Sequence, residues 1–369
     1  YYEDVEEVKV IDDNTFKVIW KEKTFQSLTA TMEAYPLPKH IFTRTESGKK
    51  IPKESLGLKF NSHWAGRHPI GVGPYNFEKY RQGTRVVLTQ NDKYYGKLPP
   101  IERIEYNIIK NPKRRYLKLK ASEIDFTPLS PPVYKQNVLQ AGSNSPFETG
   151  KLEYKQIDRF AYSYIGWNMD KPLFSNPDVR RALTHAFNRQ GIIENVYNGL
   201  GHVQDGPFFY KHPANSPNVE PYDHSLDKAA NLLEESGWTD SDGDGIREKT
   251  IDGSQQEFQF TITAYNQPTW KSVLSVYKED LRKIGVNMSY SPVDWPTMQK
   301  KMNEKNFDAY TGGWALAWAI DPFQIWHSSQ ADIPKGSNRV GFRNEKADEL
   351  IEKMRGTFDR EKRLEYARD

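Results

Sequence analysis

The chain has no cysteine among its 369 residues. That excludes disulfides, thiol nucleophiles and thiolate metal centres, and it suits either redox compartment. No run of about 18 apolar residues occurs, so no segment reads as a membrane-spanning helix. An excess of either charge is lacking too: 52 Lys and Arg stand against 49 Asp and Glu, a formal net charge of +3. So close a balance offers no broad positive field for nucleic acid or an anionic membrane. The densest basic stretch, Lys110-Asn-Pro-Lys113-Arg114-Arg115, reads as a solvated helix start. Catalytic signatures are also missing. There is no G-x-S-x-G, no zinc motif and no phosphate-cradling glycine loop, and none of the eight histidines stands in a recognisable constellation with a serine. His63 and His68 make a poor helical metal pair. The abundant carboxylates leave a glycosidase-like acid and base open, but no pair is singled out.

What the chain does have is aromatic surface, with 9 Trp and 21 Tyr. The densest part is Gly313-Trp-Ala-Leu-Ala-Trp-Ala-Ile-Asp-Pro-Phe-Gln-Ile-Trp-His327, with a strand expected to run in from Asp308 and a turn at Asp321-Pro322. Trp314 and Trp318 beside Gly312-Gly313 read either as tight core packing or as an aromatic wall for a ligand. The glycines favour the wall, since they let a backbone or ligand approach closely. Tyr162, Tyr164, Trp167, Trp270 and Tyr310 enlarge the aromatic population of the second half.

At this length two domains are expected. The first part is strand-rich: Thr15–Trp20, Arg85–Gln90 and Ile101–Ile109 read as strands, the last with Ile101, Ile104, Tyr106 and Ile108 facing inward. Loops fall at Pro128–Pro132 and Gly142–Pro146. After about residue 165 helices alternate with strands. Asn176 caps a helix with Pro177 at its first position, burying Val179, Ala182, Leu183, Ala186 and Phe187. Ser225 caps another that stops at Gly237. Phe258–Ala264 (strand), Thr269–Ile284 (helix) and Val286–Tyr290 (strand) form a βαβ unit, hence a sheet with a right-handed crossover.

Asp240-Ser-Asp242-Gly-Asp244-Gly245 has the oxygen spacing of a calcium loop. The bidentate glutamate of an EF-hand is missing, because its place is Ile251, and Glu248 is the nearest substitute. The loop reads either as a structural calcium site or as an acidic turn; no other cofactor is expected.

Several stretches, in order, resemble the bacterial extracellular solute-binding proteins of family 5, the peptide and nickel receptors of ABC importers. They are Gly71-Val-Gly-Pro-Tyr75 with Arg81–Asn91 and Tyr94-Tyr95-Gly96, then Ser122-Glu-Ile-Asp125, Trp167-Asn168, Asn176–Leu183 and Phe187-Asn-Arg189. Leu232–Trp238, Leu281–Gly285 and Gly341-Phe-Arg343 continue the likeness through essentially the whole chain. The resemblance implies an α/β, two-lobed, type II periplasmic-binding-protein-like fold that closes on a solute by a hinge. It places residues 1–165 in a lobe I that is incomplete and 166–369 in lobe II. The chain opens without methionine or a signal peptide and reads as a piece cut from a longer polypeptide, for which weak or absent ligand affinity is expected.

The implied function is that of an ABC importer's receptor, binding peptide or another small solute, partnered by a membrane permease, monomeric and without nucleic acid. Its implied location is the periplasm or the cell exterior, with a lipoprotein anchor open. Peptide-binding members carry an aspartate shortly after the Gly-Trp, for the peptide ammonium. Here Ala317 and Ala319 fill those places. Either Asp321 takes over or the solute is an oligosaccharide, opine or metal chelate; a glycoside hydrolase is the remote alternative. The expected ligand-binding residues are Trp314, Trp318 and Asp321, with Tyr164 and Asn168 at the crossover, then Asn266 and Trp270 at the strand end and helix start of the βαβ unit.

Overall fold

The structure is a computed structural model describing residues 4–251 and 253–369. In chain order the strands are β1 (Val5–Val10), β2 (Phe16–Trp20), β3 (Tyr75–Arg81), β4 (Arg85–Gln90), β5 (Arg103–Asn107), β6 (Ala161–Trp167), β7 (Glu248–Ile251), β8 (Ser254–Glu257), β9 (Gln259–Tyr265), β10 (Asn287–Val293) and β11 (Ala309–Ala315). Met32–Glu153 make one compact unit, and the other described residues make a second. The expected boundary at 165/166 therefore falls inside β6. The start of the chain packs with its end: the Phe25 N–H donates to the Arg355 carbonyl at 3.0 Å, and the Arg363 guanidinium lies 4.2 Å from the Phe25 ring centroid.

In the 32–153 unit, β3, β4 and β5 form an antiparallel sheet in that order. Val87 on the central strand is buried, whereas Ile101, Tyr106 and Ile108 are exposed and only Ile104 is partly covered. The inward assignment of those residues is thus corrected: β5 is an edge strand, and hydrophobic alternation alone does not say that anything covers its face. The basic run begins the helix Pro112–Lys120, with Asn111 as its cap.

The other unit is built on a sheet ordered β10-β9-β11-β6. The βαβ expectation holds: β9 and β10 pair in parallel, joined by the helix Pro268–Lys283, which ends before Gly285 at φ +76°. Gly285 is needed there because the chain turns through the left-handed region. Asn176 and Ser225 accept backbone N–H groups at the starts of Pro177–His185 and Leu226–Glu235 as cap residues do. Phe174, Val179, Leu183, Leu233, Phe258, Ile262, Leu274, Tyr277 and Leu281 meet in one core between these helices and the sheet.

Candidate functional site

β9, β10 and β11 run in parallel, so their carboxyl ends (Tyr265, Val293 and Gly312 to Ala315) lie at one edge of the sheet. β6 is antiparallel to β11, which brings Tyr162 and Tyr164 to that same end. β11 and β9 pair only at Ala309↔Ile262 and Tyr310↔Thr263. Beyond that, the Thr311 Oγ1 accepts the Tyr265 N–H at 3.2 Å in place of a ladder partner. The carboxyl ends of parallel strands are where open α/β sheets take ligands.

The register decides what lines this end. Trp314 faces Tyr162, Gly312 faces Tyr164, and Tyr310 faces Gly166 across the β6–β11 ladder. Paired positions share a face, so four aromatic rings lie on one side. Tyr164 stacks on Trp314 with centroids 6.5 Å apart and planes at 9°, and Tyr162 is 5.8 Å from Tyr164. The Tyr164 and Tyr310 hydroxyls hydrogen-bond at 2.6 Å. Glycine makes the stacking feasible. A Cβ at 312 would stand 2.5 Å from the Tyr164 ring, and one at 166 would stand 2.9 Å from the Tyr310 ring. The close approach read from Gly312 is therefore made by the protein's own tyrosine. Burial pushes the Tyr162 hydroxyl up to about 12, with the Tyr310 hydroxyl adding to the shift, and raises those of Tyr164 and Tyr310 as well.

Arg339 closes this group, and the sequence reading missed it. Its guanidinium sits 5.6 Å from the Trp314 ring centroid, and its Nη1 donates to the Met302 Sδ at 3.7 Å. Its Nε is buried without a hydrogen-bond partner. The neighbours on either side are fixed: the Asn338 amide bonds the Phe342 N–H and carbonyl, and the Val340 carbonyl accepts the Met169 N–H at 2.8 Å. No local pattern marked Arg339, which lies 25 residues from Trp314 and meets it only in the folded chain.

The other expected residues divide. Asn266 is exposed at the end of β9, its N–H bonded to the Val293 carbonyl. Trp270 packs against the main core, and Trp318 is 51% exposed on the loop after β11, in contact with Phe160 and His212. Asn168 is 3% exposed and spent on backbone, donating to the Lys305 and Phe307 carbonyls and accepting the Asp170 N–H. Asp321, expected to receive a ligand amine, has a side chain only 2% exposed. Its carboxylate lies 3.3 Å from the Arg355 Nε and accepts the Phe323 N–H at 3.1 Å. A carboxylate at 321 caps a turn and neutralises a buried guanidinium, and Asn168 closes a loop. Both side chains, expected to contact ligand, are engaged within the protein.

At the acidic loop, one carboxylate oxygen each from Asp240, Asp242 and Asp244 lies within 4.8 Å of the others, all on exposed residues. That separation suits oxygens around one calcium, which binds its ligands at about 2.3–2.6 Å. Asp240 already accepts the Gly243 and Gly245 N–H groups, and buried Glu248 accepts the Ser241 N–H at 2.6 Å. Glu248 is thus turned to Ser241 rather than offered as the missing ligand.

Residues 1–333 match the family described as bacterial extracellular solute-binding proteins, family 5 Middle. The oligopeptide-binding protein AppA of Bacillus subtilis is 31% identical over 362 residues, which cover 94% of this chain and 60% of that protein. The chain therefore spans less than two thirds of that relative's length. The solved structure of the same AppA, in complex with a nonapeptide, superposes with a TM-score of 0.81 at 29% identity, covering all of this chain and 69% of that one. NikZ of Campylobacter jejuni, in complex with Ni(L-His), superposes with a TM-score of 0.78 at 24% identity, covering all of this chain and 69% of that one, and at that identity speaks for the fold alone. The α/β fold of the two-lobed periplasmic binding proteins is thereby shown.

Proposed function

We propose that this chain, which belongs to the bacterial extracellular solute-binding proteins of family 5, is the solute-binding part of an ABC importer's receptor whose solute is a peptide. The observation that carries this reading is the 31% identity, across nearly the whole chain, to a protein named for oligopeptide binding. The sheet end gives it physical content. Trp314, Tyr164 and Tyr162 present flat apolar rings with hydroxyl and indole donors, which suits a ligand of varied side chains. The role is that of a transport receptor rather than an enzyme. Its partner would be a membrane permease, and its place outside the cytoplasmic membrane, with or without a lipid anchor.

A second reading keeps the receptor and changes the solute to a metal chelate, opine or oligosaccharide. It is favoured by Ala317 and Ala319 where an amine-binding carboxylate is expected, together with the engagement of Asp321 by Arg355. Native mass spectrometry of the full-length receptor purified from its host separates the two. A ladder of peptide masses supports the first. A single non-peptide mass overturns it in favour of the second, and turnover of peptide or glycan would overturn both.

The Asp240–Gly245 loop is proposed as a structural calcium site away from the solute. Calcium should raise the thermal midpoint of the full-length receptor, and Asp242→Asn should remove the rise. An unchanged midpoint at millimolar calcium would reduce the loop to an acidic turn.

A further inference from the structure

Arg339 combines two features that seldom persist together without a purpose. Its guanidinium is half-buried against the Trp314 face, yet among the described residues it has no carboxylate within ion-pair distance. Its buried Nε is also left without an acceptor. A buried donor without an acceptor is unfavourable, because it gives up its bond to water and gains none. The thioether of Met302 is a weak acceptor and neutralises nothing.

Several carboxylates of the same unit are engaged elsewhere. Asp321 is held by Arg355, and Asp170 and Asp332 are held by Arg343, with Lys305 also on Asp170. Asp294, after β10, caps the helix Trp295–Asn303. Arg339 is the charged group that bears on the Tyr164 and Tyr310 hydroxyls. The charged group against the aromatic rings is therefore a cation, which favours an anionic group of the solute there over an ammonium.

We propose that Arg339 is the charge partner of a carboxylate on the solute, which it would meet at the edge of the ring formed by Trp314, Tyr164 and Tyr310. The proposal rests on the receptor reading and names the chemistry of the solute at that site. A guanidinium offers a planar fork that matches a carboxylate with two hydrogen bonds, and its remaining face already lies on an aromatic ring. The anchored Asn338 and Val340 hold the backbone at 339, so little ordering is left to be done on binding. The Tyr164 and Tyr310 hydroxyls, held protonated by burial, hydrogen-bond each other and brace the rings beside the guanidinium. The consequence is a specificity rule: a free amine is dispensable at this end and an anionic group is not.

The test uses the full-length receptor and intrinsic tryptophan fluorescence, with tetra-alanine as free peptide, as the N-acetylated form and as the C-terminal amide. An amidated peptide with one internal glutamate and the non-peptide dicarboxylate glutarate complete the set. The expected result is that acetylation changes affinity by less than about threefold, and amidation weakens it at least tenfold, the discrimination expected when about 1.4 kcal/mol is lost. Arg339→Gln should remove that discrimination, and Arg339→Lys should keep part of it. Recovery by the internal glutamate would identify a side-chain carboxylate as the source, and its failure would identify the chain terminus. Glutarate binding that Arg339→Gln abolishes, with no peptide bound, would keep the role of Arg339 and overturn the peptide reading. Acid and amide bound equally by both proteins would overturn the role of Arg339 and leave the peptide reading standing. Binding of none of these probes would overturn both. Circular dichroism and thermal midpoints of both variants separate a binding loss from misfolding.

Discussion

At residue scale, the most consequential side chain in the aromatic segment is a buried one, Asp321. Asp321 is the buried partner of Arg355, whose side chain is itself 13% exposed and lies over the Phe323 ring. Removing one member of a buried pair strands the other charge, which costs about 3–5 kcal/mol. Asp321→Ala should lower stability by that order in urea titrations of the full-length receptor, while the double variant with Arg355→Met recovers most of it. A single variant as stable as the parent would mean that Arg355 finds water in the folded state. Tyr162 gives a second residue-scale test. Burial raises its hydroxyl from 10.0 to about 12, so the native state holds a proton that the unfolded chain gives up. The stability from this group is complete below about pH 10 and is lost as pH rises from there towards 12. Tyrosinate difference absorbance should therefore show at least one late-titrating tyrosine that Tyr162→Phe removes. An unchanged late-titrating fraction in that variant would contradict the assignment.

At the scale of elements, the β6–β11 ladder carries the site, and its glycines fix the ring positions. Gly312→Ala would place a Cβ 2.5 Å from the Tyr164 ring, and overpacking of this kind costs about 1–3 kcal/mol. The cost should shrink in a Tyr164→Ala background, because the clash and its relief share one partner. Additive effects in urea titrations would show that Gly312 matters for some other reason. The same ladder marks how far the sequence could be read. Caps at Asn176 and Ser225, the stop at Gly285 and the βαβ unit were legible because each signal is local, within one turn or one period. The pairing of β6 with β11 was not, since nothing in either strand names a partner some 140 residues away. The aromatic residues stood out by type, and Tyr162, Tyr164, Tyr310 and Trp314 lie in one unit. Their charge partner was invisible, because Arg339 looks like any surface arginine until Trp314 lies beneath it. The engagement of Asp321 and Asn168 was equally invisible: polar residues beside aromatic ones suggest a ligand, while burial and backbone bonding tie both to the protein itself.

At the scale of the molecule, the two units differ in how much core they own. The largest fully buried side chains, among them Tyr277, Tyr310, Phe174, Phe258, Leu183 and Met288, all lie outside Met32–Glu153. Within that segment the buried apolar set is Ile51, Ala65, Val87, Tyr116, Leu119, Val133 and Tyr134, small for its length and spread over separate elements. Apolar burial contributes roughly 25 cal/mol per Å², so local opening should cost less in the 32–153 unit than in the sheet β10-β9-β11-β6. Native-state hydrogen exchange on the full-length receptor is expected to place the slowest amides on β9 and β10, whose parallel ladder runs from Gln259↔Asn287 to Tyr265↔Val293. Those of β3, β4 and β5 should exchange faster. Tyr164, Tyr310, Trp314 and Arg339 all belong to the unit with the larger core, so on the proposed receptor reading the aromatic end is held by the more stable part. Equal protection in the two units would contradict this order and mean that the smaller buried apolar set of 32–153 does not govern its opening.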